Sequence, residues 1–359
     1  MRRSALLVVA TTMALALAAC SGGDDRAQDT VGSTTTPDAA TVTIVADATA
    51  DSPEAPPDVV RQPLTGELIT GGADVIGRPA LAVTIDNHPD ARQNHSGLAV
   101  ADIVYEQIVE GGFTRFLAIL HTNDSDLVGP IRSGRSHDVA LLAPLDVPLY
   151  AWSGGNPGVN RLIAEAPVVD LSALLGAAGY FRGPGVGPHD LYNDTESLWD
   201  QTPSDHAGAP RQQFEYTFPG ESFVGTEIAG FDLRIGDLVV GWNWDAAAGS
   251  WRRSQDGVEH VDVTHGPIAS TNVVVMVVAY GRSAIDVNSP EARTVGEGLA
   301  VVFSDGKAVE GRWERSAENE PIAFLDENGD QLALTPGSTW VELAAGDPEN
   351  PVAPISSFP

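Results

Sequence analysis

Leu81-Ala82-Val83-Thr84-Ile85-Asp86-Asn87-His88-Pro89-Asp90 decides how this chain folds. Leu81 to Ile85 is a compact apolar strand, and the run stops in a polar loop. Loops at strand ends carry binding groups more often than the elements they connect. Further along, Ile103 to Val109 and Phe116 to His121 predict two more strands. Leu149 to Trp152 predicts a fourth, ending at Ser153-Gly154-Gly155. Helical spacing marks His137 to Leu145 and Val159 to Ala164. Asp194 to Gln201 predicts a short helix capped by Asn193 or Asp194. Strands and helices mixed in this order predict an α/β or α+β amino-terminal domain with a mixed sheet, over 66–225.

From about 226 the pattern turns to strands. Asp256-Gly257, Asp305-Gly306 and Asn328-Gly329 each separate β-type runs, and Asx-Gly supplies the positive φ angles of tight hairpins. Val273 to Val278 is a continuous buried run, and Trp242, Trp244, Trp251, Trp313 and Trp340 all fall in this half. The expectation is a smaller, mostly antiparallel β domain over 226–345, with a tail over 346–359. Trp242 and Trp244 share one side of a strand, and core packing explains them better than a sugar platform.

The amino terminus reads as an export signal. Met1-Arg2-Arg3 is followed by an uncharged apolar run, Ala5 to Ala19, which suits a signal core better than a membrane span. It ends in Leu17-Ala18-Ala19-Cys20, which resembles the bacterial lipobox. That resemblance implies removal of residues 1–19 and lipidation of Cys20. Two or three acyl chains hold a protein on a bilayer far better than one. The expected place is the outer face of the cytoplasmic membrane. Cys20 is the only cysteine, so the mature chain is expected to have no disulfide within it. Residues 20–65 are rich in Ser, Thr, Ala, Asp and Pro. The first aromatic residue of the chain is Tyr105. Such a stretch reads as a disordered acidic tether, with a reach on the order of 35 Å.

The formal charge of −29 repels nucleic acid and excludes it as a partner. Against this background the arginines between Asp86 and Asn156 stand out. Arg132 and Arg135 flank Ser133-Gly134, and Arg115 and Arg92 could join them. Guanidinium groups match the oxygens of phosphate or carboxylate, and glycine lets backbone N–H groups come close to the same anion. The expected binding set is Asp86, Asn87, Arg92, Glu106, Glu110, Thr114, Arg115, Arg132, Ser133, Arg135, Ser153 and Asn156. The competing reading pairs the arginines with Asp102, Glu106, Glu110 or Asp138 in structural ion pairs.

Two resemblances follow from these residues. The stretch LAVTIDNHPDARQNHSGLAVADIVYEQIVEGGFTRFLAIL (81–120), with VGPIRSGR (128–135), closely resembles the YerB-like lipoproteins. That bacterial family has a two-part domain of unknown function. Gly298 to Val302, Ser304-Asp305-Gly306-Lys307, Gly311-Arg312-Trp313 and Thr339-Trp340-Val341-Glu342 match its carboxyl-terminal part. The resemblance supports a two-part chain and a lipid anchor, and it implies no activity. The strand carrying Arg115 and the strand ending in Ile131-Arg132-Ser133 are also similar in layout to LytR-CpsA-Psr phosphotransferases. That layout implies Asp86 as a Mg²⁺ ligand and Arg115, Arg132 and Arg135 as a pyrophosphate clamp.

Other chemistries lack their motifs. There is no Gly-x-Ser-x-Gly elbow, no Walker loop and no His-Glu-x-x-His. His88 and His95 read as surface or hydrogen-bonded histidines rather than zinc ligands. Asp326-Glu327-Asn328-Gly329-Asp330 reads as a hairpin turn, because position twelve of a calcium loop would be Gly337 instead of Glu. The reading favours a binding protein over an enzyme and expects no cofactor, with Mg²⁺ only under the phosphotransferase alternative. The ligand is expected to be an anionic, phosphate-bearing component of the cell envelope. A non-catalytic module for an envelope protein is the third alternative.

Overall fold

The computed structural model describes residues 60–70, 74–206, 208–346 and, for the backbone alone, 355–358. The expected signal, Cys20 and most of the tether lie outside the described residues. Order begins earlier than the expected boundary at 65. Arg61 bridges Leu68, and Leu64 is fully buried.

The apolar runs become strands β1 (Leu81–Asp86), β2 (Ile103–Ile108), β3 (Thr114–Leu120), β4 (Leu149–Ala151) and β5 (Val169–Asp170). The second half supplies β6 (Gly230–Ile235), β7 (Leu238–Asp245), β8 (Ser250–Gln255), β9 (Asn272–Val278), β10 (Gly296–Ser304), β11 (Lys307–Arg315), β12 (Ala323–Leu325) and β13 (Thr339–Ala345). The helices are short: α1 (Asp138–Leu142), α2 (Pro157–Glu165) and α3 (Thr195–Trp199).

Both halves build one eleven-stranded mixed sheet, in the order β12-β11-β10-β9-β13-β2-β3-β1-β4-β5, with Thr226–Glu227 pairing β11. The seam between the halves is parallel: β13 lies between β9 and β2, with Glu106 opposite Glu342. The expected mixed sheet is present, while the α/β character expected of the amino-terminal half is slight. The chain is mostly β, with 39% strand and 11% helix. Strands at the seam find partners in the other half, so long crossover helices are not needed to join them.

A six-stranded antiparallel sheet built on β6, β7 and β8 is the separate antiparallel part. Ile355–Phe358, expected in the tail, adds its outer strand beside β6. Asp256-Gly257 and Asp305-Gly306 close their hairpins at positive φ, as the Asx-Gly rule requires.

Side-chain alternation divides the core in two. Leu81, Val83, Ile85, Val104, Phe116, Val273, Val275 and Trp340 face the small sheet, meeting Phe231, Trp242 and Trp251. Trp242 is thus core, as the sequence predicted, and stacks edge-on against Trp340. Ala82, Tyr105, Leu117, Val274 and Leu343 line the opposite face with Leu141, Leu142, Val159 and Ile163 of α1 and α2.

Candidate functional site

The site grows from the end of β1. Antiparallel pairing sets Asp86 opposite Arg115 on β3. On the other flank Ile131 bridges Ile85, and the Arg132 N–H donates to the Thr84 carbonyl at 2.9 Å. The chain through Leu191 lies against Ile131 in turn, and so brings His189 to the same corner. One local pairing pattern therefore gathers residues spread over a hundred positions.

Asp86 is buried and its carboxylate is fully engaged. Oδ2 accepts from Arg132 Nε at 3.1 Å and His189 Nδ1 at 2.6 Å. Oδ1 accepts from the His88 N–H at 3.1 Å and lies 3.8 Å from Arg115 Nη2. Burial alone would raise the Asp86 carboxyl. The Arg115 charge, the His189 hydrogen bond and Arg132 outweigh it and hold it below its ordinary value. Its oxygens already answer two guanidiniums and an imidazole, contacts that the Mg²⁺ role implied by the phosphotransferase layout would have to displace.

Arg115 is buried and its pKa is pushed down to about 10, first by burial and then by the Arg135 charge. It stays protonated at neutral pH, donating to the Ser133 carbonyl at 2.9 Å. Arg135 donates to the Ser133 and Gly134 carbonyls and pairs with Glu110 at 2.5 Å. Burial would raise Glu110, but its hydrogen bond from Arg135 and the Arg135 charge hold it down. Arg132 differs from both. Its side chain is 27% exposed, and among the described residues Nη1 and Nη2 have no hydrogen-bond partner.

Beside this corner lies a hollow of about 350 Å³, lined by Glu110, Ser133, Arg135, Ser153, Gly154 and Asp286, among others. Two carboxylates face one guanidinium there, so the hollow itself does not favour an anion. At the Asp86 corner Arg115 and Arg132 meet one buried carboxylate, with Asp90 exposed at its edge.

Alternation carries other expected residues away from the corner. Asn87, Glu106 and Thr114 point to the opposite face of the sheet and are fully buried between the two sheets. Asn87 Nδ2 donates to Thr114 Oγ1 at 2.7 Å, and Thr114 donates to Glu106 Oε1 at 2.6 Å. Glu106 Oε2 accepts from Arg253, whose Nε lies 3.8 Å from Glu342. Arg92 pairs with Asp256 of the small sheet at 3.1 Å. Asn156 caps α2, accepting from the N–H groups of Gly158 and Val159 at 2.8 and 2.9 Å. These are structural roles, set by strand parity and helix capping.

The sequence reading missed His189, Arg253, His260 and Glu342. Arg253 had a signal: it sits two residues from Trp251 on one strand face, so it shares the inward side. His95 is hydrogen-bonded, as expected, between His260 and the Asp86 carbonyl.

A mixed-sheet sandwich with an arginine–aspartate corner at a strand end is the class that fold and site define. Residues 64–208 match the N-terminal domain, and residues 231–341 the C-terminal domain, of the DUF3048 family, described as proteins of unknown function. The chain belongs to this family, the YerB-like proteins of the sequence reading. It is 28% identical over 312 residues to the "Putative lipoprotein YerB" of Bacillus subtilis, covering 81% of this chain and 88% of that protein. The crystal structure of YerB from Bacillus subtilis superposes with a TM-score of 0.71 at 25% identity. It covers 84% of this chain and all of the YerB chain.

Proposed function

We propose that this chain is a lipid-anchored extracytoplasmic protein that binds an anionic, phosphate-bearing envelope ligand at the Asp86–Arg115–Arg132 corner. The anchor reading rests on the Leu17-Ala18-Ala19-Cys20 motif, and a relative bearing the name of a lipoprotein supports it. The binding reading rests on one observation. Two guanidiniums meet a single buried carboxylate, and the one with solvent access, Arg132, keeps both terminal amino groups unpartnered among the described residues, in a chain of charge −29. Asp86 fixes the Arg132 Nε, so less freedom is lost when the fork meets an anion.

Arg115 supplies charge from beneath without touching the ligand. Ser133 and Ser153 line the adjoining hollow, where a larger ligand could extend. Phosphate titration of the full chain, followed by ³¹P NMR, tests this. Arg132→Gln should weaken binding about 10- to 100-fold, the worth of a hydrogen bond to a charged group. Equal affinity in the variant, or no saturable binding in the parent, rejects the site. For the anchor, Cys20→Ala should move the protein from the membrane to the soluble fraction. Unchanged membrane association and signal processing reject it.

A further inference from the structure

His88, Asp90 and His189 stand at the edge of the same corner, and neither the sequence reading nor the anion proposal uses them as a set. One potential donor atom from each lies within 4.8 Å of the others. The two imidazoles stack, with centroids 4.4 Å apart and planes 13° apart. Phe113 packs edge-on against His88, with centroids 4.9 Å apart.

The hydrogen bonds decide which nitrogens are free. His189 Nδ1 lies 2.6 Å from Asp86 Oδ2, and an ionised carboxylate only accepts. His189 therefore carries a proton on Nδ1, which leaves Nε2 as its nitrogen for a metal. An imidazole held this way by a carboxylate is oriented and made more basic for a metal. At His88, Nδ1 accepts the Asp90 N–H at 3.3 Å, so this nitrogen is unprotonated, and a metal would take over the lone pair that this long hydrogen bond uses. Asp90 Oδ2 lies 3.4 Å from it. Two acceptors face each other with no proton between them, an arrangement that a cation would satisfy. The spacing fits as well: two donors bound about 2.0–2.1 Å from one tetrahedral zinc lie about 3.3 Å apart.

We infer that His88 Nδ1, Asp90 and His189 Nε2 form a binding site for a divalent transition metal, zinc by its donor set, with Asp86 orienting His189. Imidazole with one carboxylate suits zinc or its neighbours over magnesium or calcium, which take oxygen donors. Asp90 is 66% exposed and His88 is about one-third exposed, so both can rotate to close the remaining gap around the fixed His189. Three protein ligands leave a fourth position open. His189 and Arg132 share Asp86 Oδ2, so the metal site and the Arg132 fork border the same carboxylate. A phosphate oxygen on the metal could then reach Arg132. This coupling rests on the anion proposal; the metal site itself does not.

Equilibrium dialysis of the full chain against micromolar zinc alone tests the site. One zinc per chain is expected, at least tenfold weaker in Asp90→Asn and in His88→Phe. The second variant keeps the ring packing on Phe113 and His189, and the unfolding midpoint without zinc reports its fold. Binding equal to the parent in these variants means that zinc sits on surface carboxylates and overturns the site, as does the absence of stoichiometric zinc. Arg132→Gln should leave zinc binding without phosphate unchanged. Zinc retained in that variant while phosphate affinity does not fall supports the metal site and rejects the anion reading. Phosphate bound in an Arg132-dependent way without stoichiometric zinc does the reverse.

Discussion

His95 and His260 bond to each other across the interface of the two sheets, Nδ1 to Nε2 at 2.7 Å, and both are buried. His95 Nε2 lies 2.7 Å from the Asp86 carbonyl, which can only accept, so Nε2 carries the proton and Nδ1 accepts from His260. His260 Nδ1 in turn accepts from Arg253 Nη1 at 2.6 Å. A chain of hydrogen bonds thus runs from the core cation to the backbone of the candidate site.

This chain predicts a pH effect. Burial drives His95 down to about 4, and burial, with the Arg253 charge, drives His260 well below its ordinary value. The unfolded chain therefore takes up these protons first. Their contribution to stability is complete above about pH 6.5 and is lost as pH falls toward 4. For His95 the shift from 6.5 to about 4 corresponds to about 3 kcal/mol. Urea unfolding of the parent and His95→Asn between pH 7 and pH 4.5 checks it. The parent should lose stability relative to the variant as pH falls, and parallel curves contradict the account.

Glu342 works in the opposite sense. It lies beside Glu106 on the parallel seam, and Arg253 is the guanidinium that reaches both. Burial, and then the Glu106 charge, raise Glu342 well above the ordinary carboxyl value. The folded chain keeps this proton, so the contribution of Glu342 is full below about pH 4.5 and is lost as pH rises. Glu342→Gln should gain on the parent from pH 5 to pH 8. Arg253→Met leaves Glu106 buried without its counter-charge, and a loss of about 3–5 kcal/mol is expected. Denaturant midpoints decide both, and a Glu342→Gln variant that loses ground as pH rises refutes the assignment.

The strands of the first half were legible because their apolar runs are short and bounded by polar loops. The cap was legible to within one residue, Asn193 or Asp194, because a capping side chain and the helix repeat after it are both local; Asp194 takes it, accepting from the Ser197 N–H at 2.7 Å. The union of the halves was not legible. Ile103 pairs with Thr339 through more than two hundred residues of chain, and a period-two pattern marks a strand without naming its partner. The same limit affected the site. Asp86, Arg115 and Arg132, which the structure brings together, stood out because each ends or flanks an apolar run. Glu106 and Thr114 looked equivalent in sequence, and only strand register shows that they face the other way. His189 sits in a glycine-rich loop with no local pattern to mark it.

Asn156 separates a structural role from a binding role. Its Oδ1 caps α2, and such a cap is worth about 0.5–2 kcal/mol. Asn156→Ala should lower stability by about 1 kcal/mol and leave phosphate affinity unchanged. Asn156→Asp should restore most of the stability, because aspartate caps equally well. A phosphate affinity that drops in Asn156→Ala and returns in Asn156→Asp would restore Asn156 to the binding set.

Gly134 carries a similar choice between an anion cradle and a packing device, and the geometry favours packing. A Cβ here would lie 2.6 Å from Tyr150 Oη and 2.8 Å from the Trp152 ring. Neither neighbour can yield easily. Tyr150 donates to Asp138 at 2.7 Å and bonds Thr84 at 2.8 Å, and its ring stacks on Trp152. Asp138 also accepts the Arg135 N–H at 2.6 Å, so displacing Tyr150 disturbs the turn that carries Arg132 and Arg135. Gly134→Ala should therefore cost about 1–3 kcal/mol, the range for overpacking a filled core. Gly134→Ala combined with Tyr150→Phe removes the hydroxyl that the Cβ meets, and it should fall short of the sum of the two single losses. Strict additivity in denaturant unfolding would show that the clash lies elsewhere.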